Sequence, residues 1–120
     1  MVLVTIEILI YETVSLKMLK DWKLKLRYGR IETPYEHFTL IAPVIINQYI
    51  ADFNAQPGKA YAAMKIWALN DEQSIEIFQS VADQTGFSIA GNIEIYKTEP
   101  ENPPKENPFA YNINFSYYTE

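Results

Sequence analysis

At 120 residues, with 48% hydrophobic and 21% charged side chains, the chain has the size and composition of one globular domain, which argues against intrinsic disorder. It contains no cysteine, so disulfides, thiol nucleophiles and cysteine-ligated zinc or iron–sulfur centres are excluded. Its formal charge of −5 argues against bulk nucleic-acid binding, because phosphate neutralisation needs a basic footprint.

The charge is uneven. Residues 1–30 hold six basic side chains against three acids, a net of +3, and residues 31–120 hold four against twelve, a net of −8. A field with such a sign boundary can orient a partner or a second copy of the chain. The apolar start, Met1 to Ile10, has no basic n-region and no small-residue cleavage site, so it does not read as a signal peptide. No apolar run reaches the length of a membrane span. With the lack of cysteine, this places the expected location in the cytoplasm.

In chain order, Val2 to Glu12 is rich in β-branched residues. Val2, Val4, Ile6, Ile8 and Ile10 share one face of a predicted central strand. Ser15 to Asp21 suits a short helical turn. From Trp22 to Tyr28, Trp22, Leu24, Leu26 and Tyr28 alternate with Lys23, Lys25 and Arg27, which predicts a half-exposed strand with a basic outer face.

Thr33-Pro34-Tyr35-Glu36 reads as a helix start with a capping box. Phe38, Ile41, Ala42, Ile45, Tyr49 and Phe53 then follow at three- and four-residue spacing. This predicts a helix over 34–54, kinked at Pro43. Ala60 to Leu69 is the next strand. Asn70 caps a second helix with Gln73 in the reciprocal position, Ile75, Phe78, Val81 and Ala82 form its buried stripe, and Gly86 ends it.

Gly91-Asn92 is a turn before a strand over Ile93 to Thr98. Residues 99–108 hold four of the seven prolines and read as a loop. Phe109, Tyr111, Ile113, Phe115 and Tyr117 alternate with polar or small residues in a final strand, a candidate sheet edge with an aromatic inner face. The expected fold is a single α+β domain over 1–120. It is a two-layer sandwich of about five mixed, mostly antiparallel strands with two helices on one face, in the order β-β-α-β-α-β-β. The unit from Ala60 to Thr98 reads as a parallel crossover.

Signals for chemistry are sparse. His37 is the only histidine and could act as a base with Tyr35 or Glu36 beside it, but neighbours in sequence on a helix do not face one another. The only catalytic candidates are therefore His37 and Tyr35. Glu72 and Glu76 stand four apart on one helix face without the loop ligands a hard cation needs, so they read as a solvated face, and no metal site is assigned. The four glycines are isolated, which removes Gly-rich phosphate loops, and no cofactor is implied.

Nine tyrosines are more than a small core needs, and tyrosine and tryptophan suit interfaces. The expected role is a non-enzymatic binding domain acting on itself, as a homo-oligomer, or on another protein. The assigned binding residues are Lys23, Lys25, Arg27 and Arg30 on the basic segment and Trp67, Tyr111, Tyr117 and Tyr118 on the aromatic strands. The alternative is a small-molecule-binding protein or cofactor-free enzyme whose pocket lies between the sheet and the kinked helix 34–54.

Overall fold

The structure, a computed structural model, describes residues 22–118. The strand expected at Val2 to Glu12 and the turn at Ser15 to Asp21 lie outside those residues. The described residues fall into two units that divide between Thr33 and Pro34.

In the first unit, residues 22–27 are helical (α1), not the predicted strand. The alternation of apolar and basic residues is real, but residues 22–30 contain no β-branched side chain and several strong helix formers. Gly29, at φ +78°, closes the helix. Its N–H donates to Leu26 O, and the N–H of Arg30 donates back to Lys25 O. Leu24 and Tyr28, expected to be inward, are exposed.

The second unit is α+β, with a five-stranded antiparallel sheet and the helix α2 (Asp71–Thr85). Its strands are β1 (Glu36–Ile46), β2 (Gly58–Ala68), β3 (Phe87–Ile89), β4 (Glu94–Lys97) and β5 (Phe109–Tyr117). The predicted helix over 34–54 is thus a strand followed by a single 3-10 turn at Ala51–Phe53. The helical spacing drew on two sets of residues that in fact lie on opposite faces. Phe38, Leu40, Ala42, Val44 and Ile46 alternate on the buried side, and the β-branched Thr39, Ile41, Val44, Ile45 and Ile46 favour extended backbone.

The sheet runs β3-β1-β2-β5, with β4 beside β3 along the same edge of β1. β2 and the β3/β4 edge are both antiparallel to β1 and so parallel to each other, with α2 crossing between them. The expected crossover is therefore present, with β1 inserted in its middle.

Pro43 explains why that edge is broken in two. Its carbonyl accepts from Ala90 N at 2.8 Å, so its N-substituted side also faces β3/β4, where a proline cannot donate to a ladder. The break between Ile89 and Glu94 falls opposite it, and a Cβ on Gly91 would stand 2.5 Å from Pro43 Cγ.

One face of the sheet carries the core. Ser74, Phe78 and Ala82 of α2 are buried there with the inward residues of β1 and β2. Phe87, just past the helix end, meets Phe78 edge-on with ring centroids 6.4 Å apart. The helix begins as predicted: Asn70 Oδ1 accepts from Gln73 N and Gln73 Oε1 accepts from Leu69 N, both at 2.8 Å. Its C-cap is Gly86 at φ +108°, with its N–H on Ala82 O. No helix among the described residues is long and apolar enough to cross a membrane.

Candidate functional site

The sheet face away from α2 follows from the register. His37 pairs with Trp67, Thr39 with Lys65, Ile41 with Ala63, Pro43 with Tyr61 and Ile45 with Lys59. β4 adds Tyr96 beside Thr39 and Glu94 beside Ile41. β5 adds Phe109 beside Trp67, Tyr111 beside Lys65, Asn114 beside Ala63 and Ser116 beside Tyr61.

The inner face expected of β5 divides between the two sides of the sheet. The pairing register shifts between Ala63 and Lys65, and across from it Asn112 takes a left-handed backbone at φ +54°. A bulge reverses the alternation, because side chains switch faces with each one-residue slip. Phe109 and Tyr111 therefore lie on the face away from α2, while Phe115 and Tyr117 lie level with Ala62 and Ala60 of the core. Asparagine is one of the few residues that adopt this backbone readily.

The β1 N-terminal end of the outer face is covered by the chain itself. Residues 99–108 fold over it, and their backbone is tied to outer-face side chains. Trp67 Nε1 donates to Asn102 O at 2.9 Å. The N–H groups of Glu101 and Asn102 donate to Tyr111 Oη at 3.0 and 3.2 Å, and Tyr35 Oη donates to Glu106 O at 3.0 Å. Glu101 is further held by Asn112 Nδ2 at 2.9 Å and by Lys65 Nζ at 3.9 Å. Lys105 Nζ stands 4.7 Å from the centre of the Phe109 ring. With four prolines the loop has few N–H groups to place, so side chains of the sheet supply much of its fastening.

His37 lies beneath this cover at 6% exposure, and Trp67 at 3%. Its Nδ1 is 3.1 Å from both Thr98 O and Thr98 Oγ1. A carbonyl oxygen only accepts, so Nδ1 carries the proton. Nε2 is then the acceptor for the Tyr111 hydroxyl at 2.6 Å, which leaves Tyr111 Oη free to accept from the two loop amides. The His37 ring also meets Trp67 edge-on at 5.0 Å.

Burial holds the His37 pKa below its ordinary 6.5, and the positive charge of Lys65 acts the same way. The Thr98 carbonyl and the carboxylates of Glu101 and Glu99 pull upward without prevailing. Neutral His37 is thus a hydrogen-bonded junction between β1, β4, β5 and the loop. Its two ring nitrogens are engaged within the chain, which suits positioning of the loop and leaves neither facing solvent.

The other end of the same face is open. Ile45 is 39% exposed and Tyr61 47%, with Ile41, Pro43 and Ala63 part-exposed between them. The Tyr61 ring stacks on Tyr118 at 4.7 Å. Glu94 and Lys59 mark the rim, and Glu94 accepts from the Tyr96 hydroxyl, which pushes that phenol's pKa up. An open cleft of about 270 Å³ lies against β5 on the side of the 3-10 turn, lined by Phe53, Asn54, Ala55, Ile113, Asn114, Phe115 and Tyr117.

Of the sequence candidates, the structure brings His37, Trp67 and Tyr111 together, with Tyr35 fastening the loop above them. Tyr117 and Tyr118 lie at the far end of β5, where Tyr117 Oη donates to Gln56 O at 2.8 Å. Lys23, Lys25, Arg27 and Arg30 belong to the first unit, on and just after α1, and all are exposed. The kinked helix that would have walled a pocket over 34–54 is replaced by β1. Thr98, Lys65, Glu101 and Asn102 join the covered cluster without any signal in the sequence, because only the strand register sets them beside His37. Among the described residues, no three His, Asp or Glu side chains group as a metal site. No family model matches this chain, nor does any curated protein or solved structure.

Proposed function

We propose that the chain is a non-enzymatic binding domain that acts through self-association. The observation that carries this reading is β5, an uncharged strand at the end of the described sheet, beside an outer face finished unequally at its two ends. One end is closed by the chain's own loop, and the other presents Ile41, Pro43, Ile45, Tyr61 and Tyr118 next to the terminal strand β5. Contiguous apolar surface beside a sheet edge is the usual mark of a protein contact. In this reading His37, buried under the loop with Nδ1 on Thr98 and Nε2 on Tyr111, serves to fasten the cover.

Light scattering after size exclusion tests the proposal. The expected result is a mass above the 13.9 kDa of one chain that rises with concentration. A mass of one chain at every concentration contradicts it.

A further inference from the structure

Self-association could use the open half of the outer face or the edge of β5, and the two surfaces differ in chemistry. The open half has Glu94 and Lys59 on its rim, and its backbone is already paired on both sides of β1 and β2. Among the described residues β5 is the last strand of the sheet, and none of them pairs with its outer edge. A terminal strand points alternate N–H and C=O groups away from its neighbour, which makes it a template for another strand.

Edges in natural proteins are commonly guarded by charge, and here that guard is missing. The nine residues of β5, Phe-Ala-Tyr-Asn-Ile-Asn-Phe-Ser-Tyr, carry no charged side chain and no proline. β1, β2 and β4 each carry at least one charge. A chain of net charge −5 meets its own copy at least electrostatic cost where neither surface is charged. The Asn112 bulge limits regular pairing to the segment beyond it, 113–117.

We infer that two copies of this chain pair along β5, antiparallel and related by a two-fold axis through Phe115. This inference rests on the self-association reading and gives it a geometry. The arrangement places Ile113 against Tyr117 of the second copy, Phe115 against Phe115, and Asn114 against Ser116. Phe115 and Tyr117 lie on the core side, so the two cores meet across the seam, and aromatic pairs directly opposite one another add to strand pairing. The cleft of about 270 Å³ beside Phe115, walled by Phe53 and Ile113, gives the opposing side chains room. On the other side of the sheet, the uncharged Asn114 and Ser116 come together, and the two open halves become neighbours.

The register makes this testable by charge exchange. Asn114 and Ser116 are both exposed, so either accepts a charge without entering the core. Asn114→Lys with Ser116→Lys sets like charges opposite each other at two symmetric places, whereas Asn114→Lys with Ser116→Glu sets opposite charges there. The masses of the three proteins are compared by light scattering from about 1 μM to about 1 mM, the range of weak to moderate association. The thermal midpoint of each protein checks its fold.

The expected result is a dimer for the unaltered chain, loss of the dimer to one-chain mass in the Lys/Lys protein, and a dimer again in the Lys/Glu protein. A dimer that survives Lys/Lys overturns the edge pairing while leaving self-association standing. A Lys/Glu protein as monomeric as Lys/Lys overturns the register through Phe115. An unaltered chain that stays at one-chain mass throughout overturns this inference and the self-association reading together.

Discussion

The two ends of the outer sheet face are built from the same strands and end in opposite conditions. At the covered end, Trp67 and His37 are almost fully removed from solvent, and their polar atoms meet loop or strand partners. At the open end, on the same face, Ile45 and Tyr61 remain exposed. The difference lies in the 99–108 loop, which closes over one end and stops short of the other. Where the chain buries aromatic side chains it also satisfies their polar tips, as low-dielectric burial requires. At the open end the bare Ile45 and Tyr61 stand beside Lys59, Glu94, Asn114 and Ser116, a mixed surface suited to meeting a second one.

Substitutions should separate the two ends sharply. Trp67→Ala removes the largest side chain under the loop and its bond to Asn102, and should cost about 3–5 kcal/mol in denaturant unfolding. The loop should also become a site of early proteolysis. A stability loss below about 1 kcal/mol, within the range of ordinary surface changes, would show that the cover contributes little.

Gly91→Ala should come next. Its Cβ would meet Pro43 Cγ at 2.5 Å, and relieving that clash should cost about 1–3 kcal/mol. An unchanged midpoint would mean that the break between β3 and β4 has slack. Tyr111→Phe deletes the oxygen that accepts from Glu101 and Asn102 and donates to His37, at about 1–3 kcal/mol for the groups left without a partner. Its effect should appear in hydrogen exchange of those two amides before it appears elsewhere.

The pH dependence follows from the sign of the His37 shift. Its folded pKa lies below the ordinary 6.5, so below that pH the unfolded chain binds a proton the folded chain refuses. The His37 contribution is complete above about pH 6.5 and is lost as pH falls from there toward the lowered folded value. The thermal midpoint should therefore drop between pH 7 and about pH 5, above the range where carboxylates titrate, and drop less in His37→Gln. Equal slopes in the two proteins would remove His37 from the account. The smallest effect is expected at the open end, where Ile45→Thr should change stability by about 0.5 kcal/mol or less. Under edge pairing it should leave the mass unchanged.

The same contrast describes what was legible in the residues themselves. α2 was readable to its caps because Asn70, Gln73 and Gly86 act within a few residues of one another. β2, β4, β5 and the 99–108 loop were readable for the same local reason, and so was the α+β class. Two segments misled. Phe38 to Phe53 contains apolar residues at both periods, and sheet pairing decided in favour of extended backbone. Trp22 to Tyr28 alternates without any β-branched residue, and the helix prevailed.

The covered cluster could be read only in part. His37, Trp67 and Tyr111 stood out as residue types, but their meeting depends on pairings 30 to 74 residues apart in sequence and on the Asn112 bulge. The bulge also sends Tyr111 to one side of the sheet and Phe115 to the other, which strict alternation does not foresee.

Hydrogen–deuterium exchange of the backbone amides, compared between dilute and concentrated protein, tests the central claim most directly. Edge pairing predicts that exchange slows on concentration within residues 113–117, with Ile41 to Ile45 unchanged. No change along β5, or slowing confined to Ile41 to Ile45, would contradict it.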